Sequence, residues 1–181
     1  MRTLKYAILG LIYREPMTGY DITREFNNNN LANFWYAKHS QVYPELGKLT
    51  DEGLVTSEIV IQGEKLEKKL YTITQKGIDE FSQWLMQDEP IPPTPKDVFR
   101  LRAYFSDFMS EQELSHHLQK ELSKHRIKEQ YLSDIMKQNH DSLAPAFGTK
   151  EFGDLIVLEG AILREKSYIQ WLENCLGRIH S

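Results

Sequence analysis

The chain has a single cysteine, Cys175, in 181 residues. That excludes an internal disulfide and a multi-cysteine zinc site, and leaves the thiol the role of a small buried apolar group. No apolar run approaches the ~20 residues of a membrane-spanning helix. The start Met1-Arg2-Thr3-Leu4-Lys5 lacks the apolar core of a signal peptide. These two absences lead to the expectation of a soluble, cytoplasmic protein. Basic excess is missing as well. Lys and Arg total 22 against 26 Asp and Glu, for a formal net charge of −4. Through Gln87 the count is ten against eleven, and beyond it twelve against fifteen. Any nucleic-acid contact must therefore come from a local basic patch. There is no GxSxG, no P-loop and no dinucleotide-binding glycine signature. His116 and His117 are adjacent, so they cannot chelate as an i, i+4 pair, and His125 and His140 lack neighbouring ligands. The expectation is a protein that is not an enzyme and carries neither metal nor cofactor.

What is present is more telling. Hydrophobic residues make up 40% of the chain and aromatics 11%, enough for one large core or two small ones. The segment from Lys38 to Val55 reads as a short helix, a glycine stop and the start of a strand. Val42, Leu46 and Leu49 recur at spacings of four and three and define a buried face. Ser40 fits a helix cap, Gly53 fits an αL stop, and Pro44 falls in the first turn. The opposite face offers His39, Ser40, Gln41, Tyr43 and Lys48. Gln can bond adenine bidentately, and Tyr can bond phosphate or pack on a thymine methyl. A hairpin with a lysine-rich turn follows, with Gly63, Lys65, Lys68 and Lys69 placed to touch phosphates. Helix followed by basic hairpin is the order of parts in a winged helix-turn-helix.

The rest of the first half agrees. Residues 3 to 14 form a helix with Leu4, Ala7/Ile8 and Leu11 buried, broken at Glu15-Pro16-Met17. Thr18 and Asp21 form a capping box for a second helix that buries Ile22 and Phe26. Asn27 to Asn30 read as a loop. Val55 to Ile61 and Leu70 to Ile73 are the hairpin strands. Thr74 caps a further helix carrying Ile78, Phe81 and Leu85. Pro90, Pro92, Pro93 and Pro95 then form a stiff connector. The expected domains are 1–89, a winged helix-turn-helix with a two-stranded wing, and 90–181, all helical. In the second, Val98, Leu101, Phe105 and Phe108 form one stripe. Ser110 and Glu113 box a long polar helix running to about Asn139. The final helix carries Leu155, Leu158, Ile162, Ile169, Leu172 and Leu176 in a near-heptad stripe interrupted by Glu165. Too few residues surround that stripe to cover it, so it is expected to pair with a second copy of the chain. Aromatic and polar residues near the domain boundary, Tyr6, Tyr20, Arg100, Tyr104 and Phe152, together with His39, are the expected contacts of a small effector.

Several of these segments carry a family resemblance. Leu4-Lys5-Tyr6-Ala7-Ile8-Leu9-Gly10-Leu11, Gly19-Tyr20-Asp21-Ile22, Ser40-Gln41-Val42-Tyr43-Pro44-Glu45-Leu46, Leu49 and Glu52-Gly53-Leu54 resemble the signature of the PadR family of bacterial transcriptional regulators. Tyr71-Thr72-Ile73-Thr74 and Gly77 match the end of its wing. The match continues through Ala37 to Gln41, Ile61-Gln62-Gly63, Lys65 to Lys69, Pro90-Ile91-Pro92, Ala103-Tyr104-Phe105, Arg164-Glu165-Lys166 and Trp171-Leu172-Glu173. There it is similar to the members that repress phenolic acid decarboxylase genes. Departures cluster at Asn27–Asn30, in 110–141 and in 142–151. The resemblance implies a homodimer paired through its C-terminal helices and bound to a palindromic operator. It also implies release by phenolic acids such as p-coumarate or ferulate. The alternatives are a PadR-like regulator answering to another small molecule or a drug, and an adaptor that binds protein rather than DNA.

Overall fold

A computed structural model describes residues 2–28, 30–62, 66–140 and 145–179. The chain divides into two compact units, Met1–Ile91 and Pro92–Ser181. In the first, α1 (Thr3–Arg14), α2 (Gly19–Asn28) and α3 (His39–Asp51) pack with α4 (Gln75–Leu85) and a small sheet. Ile8, Leu9 and Ile12 of α1, Ile22 and Phe26 of α2, and Val42, Leu46 and Leu49 of α3 are the centre of the core. Each such side chain contributes roughly 1.5–3 kcal/mol by leaving water. The expected stripe of α1 was too narrow: Leu9 and Ile12 are buried too, because α1 is covered by α3, α4 and β3 together.

The sheet has three antiparallel strands in the order β1-β3-β2, where β1 is Met17–Thr18, β2 is Val55–Gln62 and β3 is Leu66–Ile73. The wing was expected to have two strands. The third, β1, pairs Met17 with Tyr71 and Thr18 with Leu70. Two residues are too short to show alternation, so only a break was visible there. β3 also starts four residues earlier than expected. Lys68 and Lys69 lie in the strand opposite Val60 and Ile59, not in the turn. The distal hairpin is exposed on both faces, so burial imposes no period on its sequence. Gly63 and Lys65 lie outside the described residues.

Caps decide where the helices begin. Thr18 Oγ1 accepts from the Asp21 N–H, Thr74 Oγ1 from the Gly77 N–H, and Ser110 with Glu113 closes a full capping box. Two expectations need correction. The loop expected from Asn27 begins later: α2 runs through Asn28, and the Asn27 amide donates to the Thr23 carbonyl at 2.6 Å, extending the helix by side-chain bonding. The cap of α3 is not Ser40. Lys38 holds the extended cap position, and its N–H donates to Gln41 Oε1 at 2.9 Å. With His39 as first residue, Pro44 sits in the second turn, not the first, and the Ser40 carbonyl lacks its intrahelical donor. Gly53 stops the helix at φ +69°, as expected.

The second unit contains α5 (Val98–Tyr104), a 3₁₀ turn (Ser106–Phe108) and two 30-residue helices, α6 (Glu111–His140) and α7 (Lys150–Ile179). α6 and α7 pack antiparallel. Leu132 meets Leu158, Ala161 and Ile162 in one apolar cluster, and Leu118 and Leu122 meet Leu172 in another. Glu165, read as an interruption, is buried on α7 and hydrogen-bonded at 2.5 Å to Nδ1 of His125 from α6.

Candidate nucleic-acid interface and effector residues

Helix α3 turns by about 100° per residue, and its buried residues Val42, Glu45, Leu46 and Leu49 share one side. Opposite them lies a crest of small, exposed residues, Ser40, Pro44 and Gly47. His39 and Tyr43 flank that crest on one edge, and Gln41 and Lys48 on the other. The structure thus presents all five expected readers to solvent, two pairs with Ser40 on the crest between them. His39 and Tyr43 stack with ring centroids 4.2 Å apart. Gln41 has one lone pair of its carbonyl oxygen committed to the Lys38 N–H, and its amide NH₂ is a donor available to a base.

A charged clamp behind α3 was not anticipated. Glu45, only 7% exposed, accepts from Arg2 Nε at 2.9 Å and Nη2 at 2.6 Å. Arg2 also donates to Glu52 just beyond the helix end, and Lys5 bridges Glu52 and Glu80. The Arg2 hydrogen bond holds the Glu52 carboxyl below its ordinary range. Burial pulls the Lys5 ammonium down, but the Glu80 and Glu52 contacts outweigh it and raise its pKa. These pairs tie α3 to α1 and α4. Nothing in the spacing of Arg2, Lys5, Glu45 and Glu52 announces them, because the contacts are 43 to 50 residues apart in sequence where it matters most for α3.

The expected effector residues fall into separate neighbourhoods. In the first unit, Tyr6 stacks flat on Trp84 at 4.8 Å. It also lines a cavity of about 340 Å³ with Lys76, Asp79, Glu80, Gln83 and Gln87. Tyr20 is exposed, with Lys68 Nζ 5.7 Å above its ring. In the second unit, Arg100 pairs with Asp97 at 3.3 Å, and its guanidinium lies over Tyr168 and Trp171. Its charge is therefore already engaged. Tyr104 is 79% exposed, with its ring edge against Phe105. Phe152 packs edge-to-face with Phe147 at the start of α7. At 1.5 Å per residue, Phe152 lies roughly 24 Å along α7 from Tyr168, where Arg100 sits. Within one protomer, then, Arg100 and Phe152 do not share a pocket.

The stripe expected to pair two chains also needs correction. Leu158, Ile162 and Leu172 are buried against α6 of the same chain, and Ile169 and Leu176 pack beside Leu172. Leu155 is half-buried. The apolar side chains the second unit leaves exposed on its two long helices include Ile127 and Tyr131 on α6 and Ile156 and Leu163 on α7, and the stripe of Val98, Leu101, Phe105 and Phe108 is exposed as well. Isolated apolar positions on a polar helix carry no period in the sequence, whereas the heptad-like stripe of α7 does.

A three-helix core, a wing and an exposed polar α3 define a winged helix-turn-helix protein with a helical C-terminal unit. Residues 8–83 match the model of the transcriptional regulator PadR-like family, and residues 95–180 that of the virulence activator alpha C-terminal region. The chain is 48% identical over 183 residues to the negative transcriptional regulator PadR of Bacillus subtilis, covering 99% of this chain and 98% of that protein. It is similar to the crystal structure of B. subtilis PadR in complex with operator DNA, with TM-score 0.93, 47% identity and coverage of 98% of this chain and 99% of that one. For the complex with p-coumaric acid the TM-score is 0.87, with 43% identity and coverage of 99% and 100%. The chain belongs to the PadR-like family of transcriptional regulators, which is not a family of enzymes.

Proposed function

We propose that this protein is a dimeric DNA-binding repressor, acting in the cytoplasm, that controls a phenolic acid decarboxylase gene and leaves its operator when a phenolic acid such as p-coumarate or ferulate binds. The observation that carries this reading is the full-length similarity to B. subtilis PadR, a negative regulator with known complexes with operator DNA and with p-coumaric acid. The exposed face of α3 supplies the chemistry. Two copies of α3, one per protomer, read the half-sites of a palindrome. Ser40 on the crest, Gln41 and Lys48 on one edge and His39 and Tyr43 on the other reach base edges and phosphates, while Gly63, Lys65 and Lys68 of the wing follow the backbone.

Phenolic acids release the operator by binding the DNA-free protein more tightly than the DNA-bound one. The candidate contacts are Tyr6, Tyr20 and His39 in the first unit and Arg100, Tyr104 and Phe152 in the second, residue types that supply flat apolar walls, hydroxyls and a cation. No helix among the described residues is long and apolar enough to cross a membrane. Calorimetry of the free protein with p-coumarate, paired with a gel shift on the operator, tests the reading. Binding without release would remove the effector role, and absence of both would leave only the family.

A further inference from the structure

We infer that Gly19 is a positioning residue for DNA recognition: by carrying no side chain, it leaves open the space that fixes the Tyr43 ring on the reading face of α3. The inference rests on the proposed role of α3 in reading DNA. Gly19 is the first residue of α2 and is buried. A Cβ built on it would lie 2.8 Å from Tyr43 Cζ, 2.9 Å from Cε1 and 3.0 Å from the phenol oxygen. Real Cβ contacts do not occur at such distances, and ordinary contact begins at 3.4 Å. One of the two partners has to give.

Tyr43 is the one that gives. Its atoms in question are the far end of a side chain, and the residue is 40% exposed, so the ring has solvent to swing into. Gly19, by contrast, is held in the fold by its carbonyl, which accepts from Thr23 Oγ1 at 2.8 Å, and by the Thr18–Asp21 cap around it. The backbone there is not in the left-handed region, so an alanine suits the helix better than glycine does. Glycine at this position is thus a cost to α2 that the packing of Tyr43 explains. The other side of the ring is fixed too: His39 stacks on it at 4.2 Å. Close packing on Gly19 and the stack on His39 together hold the phenol at one place on the edge of the helix.

The test is Gly19→Ala, made in the wild type and in a Tyr43→Phe background. In both the chain should fold, with a melting temperature equal to or above its parent. Operator affinity should fall roughly tenfold in the wild-type background, within the range of a lost base or phosphate contact. In the Tyr43→Phe background the further loss should be much smaller, because the phenol is already absent. A separate measurement needs no DNA. NMR of the His39 ring protons, shifted by the stacked Tyr43, should show them move toward free-histidine positions in Gly19→Ala. Unchanged His39 shifts would overturn the packing claim. An unchanged operator affinity, or equal losses in both backgrounds, would overturn the positioning role. If the wild type binds no operator, the DNA reading fails, and the His39 shifts alone then decide whether Gly19 sets the ring.

Discussion

Gln41 does two things at once, and its substitutions separate them. Its carbonyl caps α3, and its NH₂ faces outward. Gln41→Ala removes both and should lower stability by about 0.5–1 kcal/mol, the usual size of a lost cap, and weaken operator binding. Gln41→Glu keeps an acceptor for the Lys38 N–H and adds a charge favoured at a helix start, so it should melt like the wild type. It should still bind the operator poorly, having lost its donor. Melting curves alongside operator titrations give both readouts; full operator affinity in Gln41→Ala would make this residue a cap and nothing more. Tyr168 carries the second prediction at this scale. Burial, followed by its 2.7 Å hydrogen bond to Asp97, pushes the phenol up to about 12 from 10.0. A raised pKa stabilises the fold fully below the unfolded value and withdraws that stability as pH rises through the folded one. Stability should therefore drop between about pH 10 and 12, and Tyr168→Phe should flatten that drop while costing about 1–2 kcal/mol at neutral pH. Thermal melts across this range, with tyrosinate absorbance, check it. On the acid side the sign reverses. The Arg100 N–H holds Asp97 down, and Arg2 holds Glu52 down, so their contributions persist at neutral pH and are lost as pH falls below the ordinary carboxylate range.

At the scale of elements, local chemistry was readable and tertiary chemistry was not. Thr18 and Ser110 each announce a helix start through spacing to a carboxylate three residues on, Thr74 announces one as a cap residue before an apolar period, and Gly53 announces a stop. Lys38 does not, because its side chain cannot accept a bond; only the backbone N–H taken by Gln41 marks that cap. The β1 strand exists solely because β3 lies beside it. The α7 stripe shows the same limit. Its period told that Leu158, Ile162 and Leu172 are buried, but a period does not say against what, and the partner is α6 of the same chain. Leu158→Glu should accordingly destabilise the second unit by several kcal/mol and melt it, since it inserts an unpaired charge into a dry cluster. Ile156 and Leu163, seven residues apart on α7, and Ile127 and Tyr131, four apart on α6, each share an exposed face. Leu163→Glu should leave the fold intact and weaken the proposed dimer. Sedimentation velocity with circular dichroism discriminates the two; a folded, dimeric Leu163→Glu would place the dimer contact away from this face.

For the whole molecule, the sequence carries the family through most of its length, and the units it predicted, 1–89 and 90–181, sit beside observed units of Met1–Ile91 and Pro92–Ser181. The candidate effector set was less legible. Arg100 and Phe152 look like partners by type, yet they occupy distant parts of α7's neighbourhood, and Arg100 is paired with Asp97. Residue type proposes a contact; only the path of the chain decides it. Under the proposed function, phenolic acid and operator compete for this protein. Fluorescence anisotropy on a labelled palindromic duplex from the promoter of the proposed target, a phenolic acid decarboxylase gene, titrated with p-coumarate at fixed salt, is the measurement to make. The account predicts tight, salt-dependent binding that p-coumarate reverses over the concentration range in which calorimetry shows it binding the free protein. A complex that stays intact while p-coumarate is bound would contradict it.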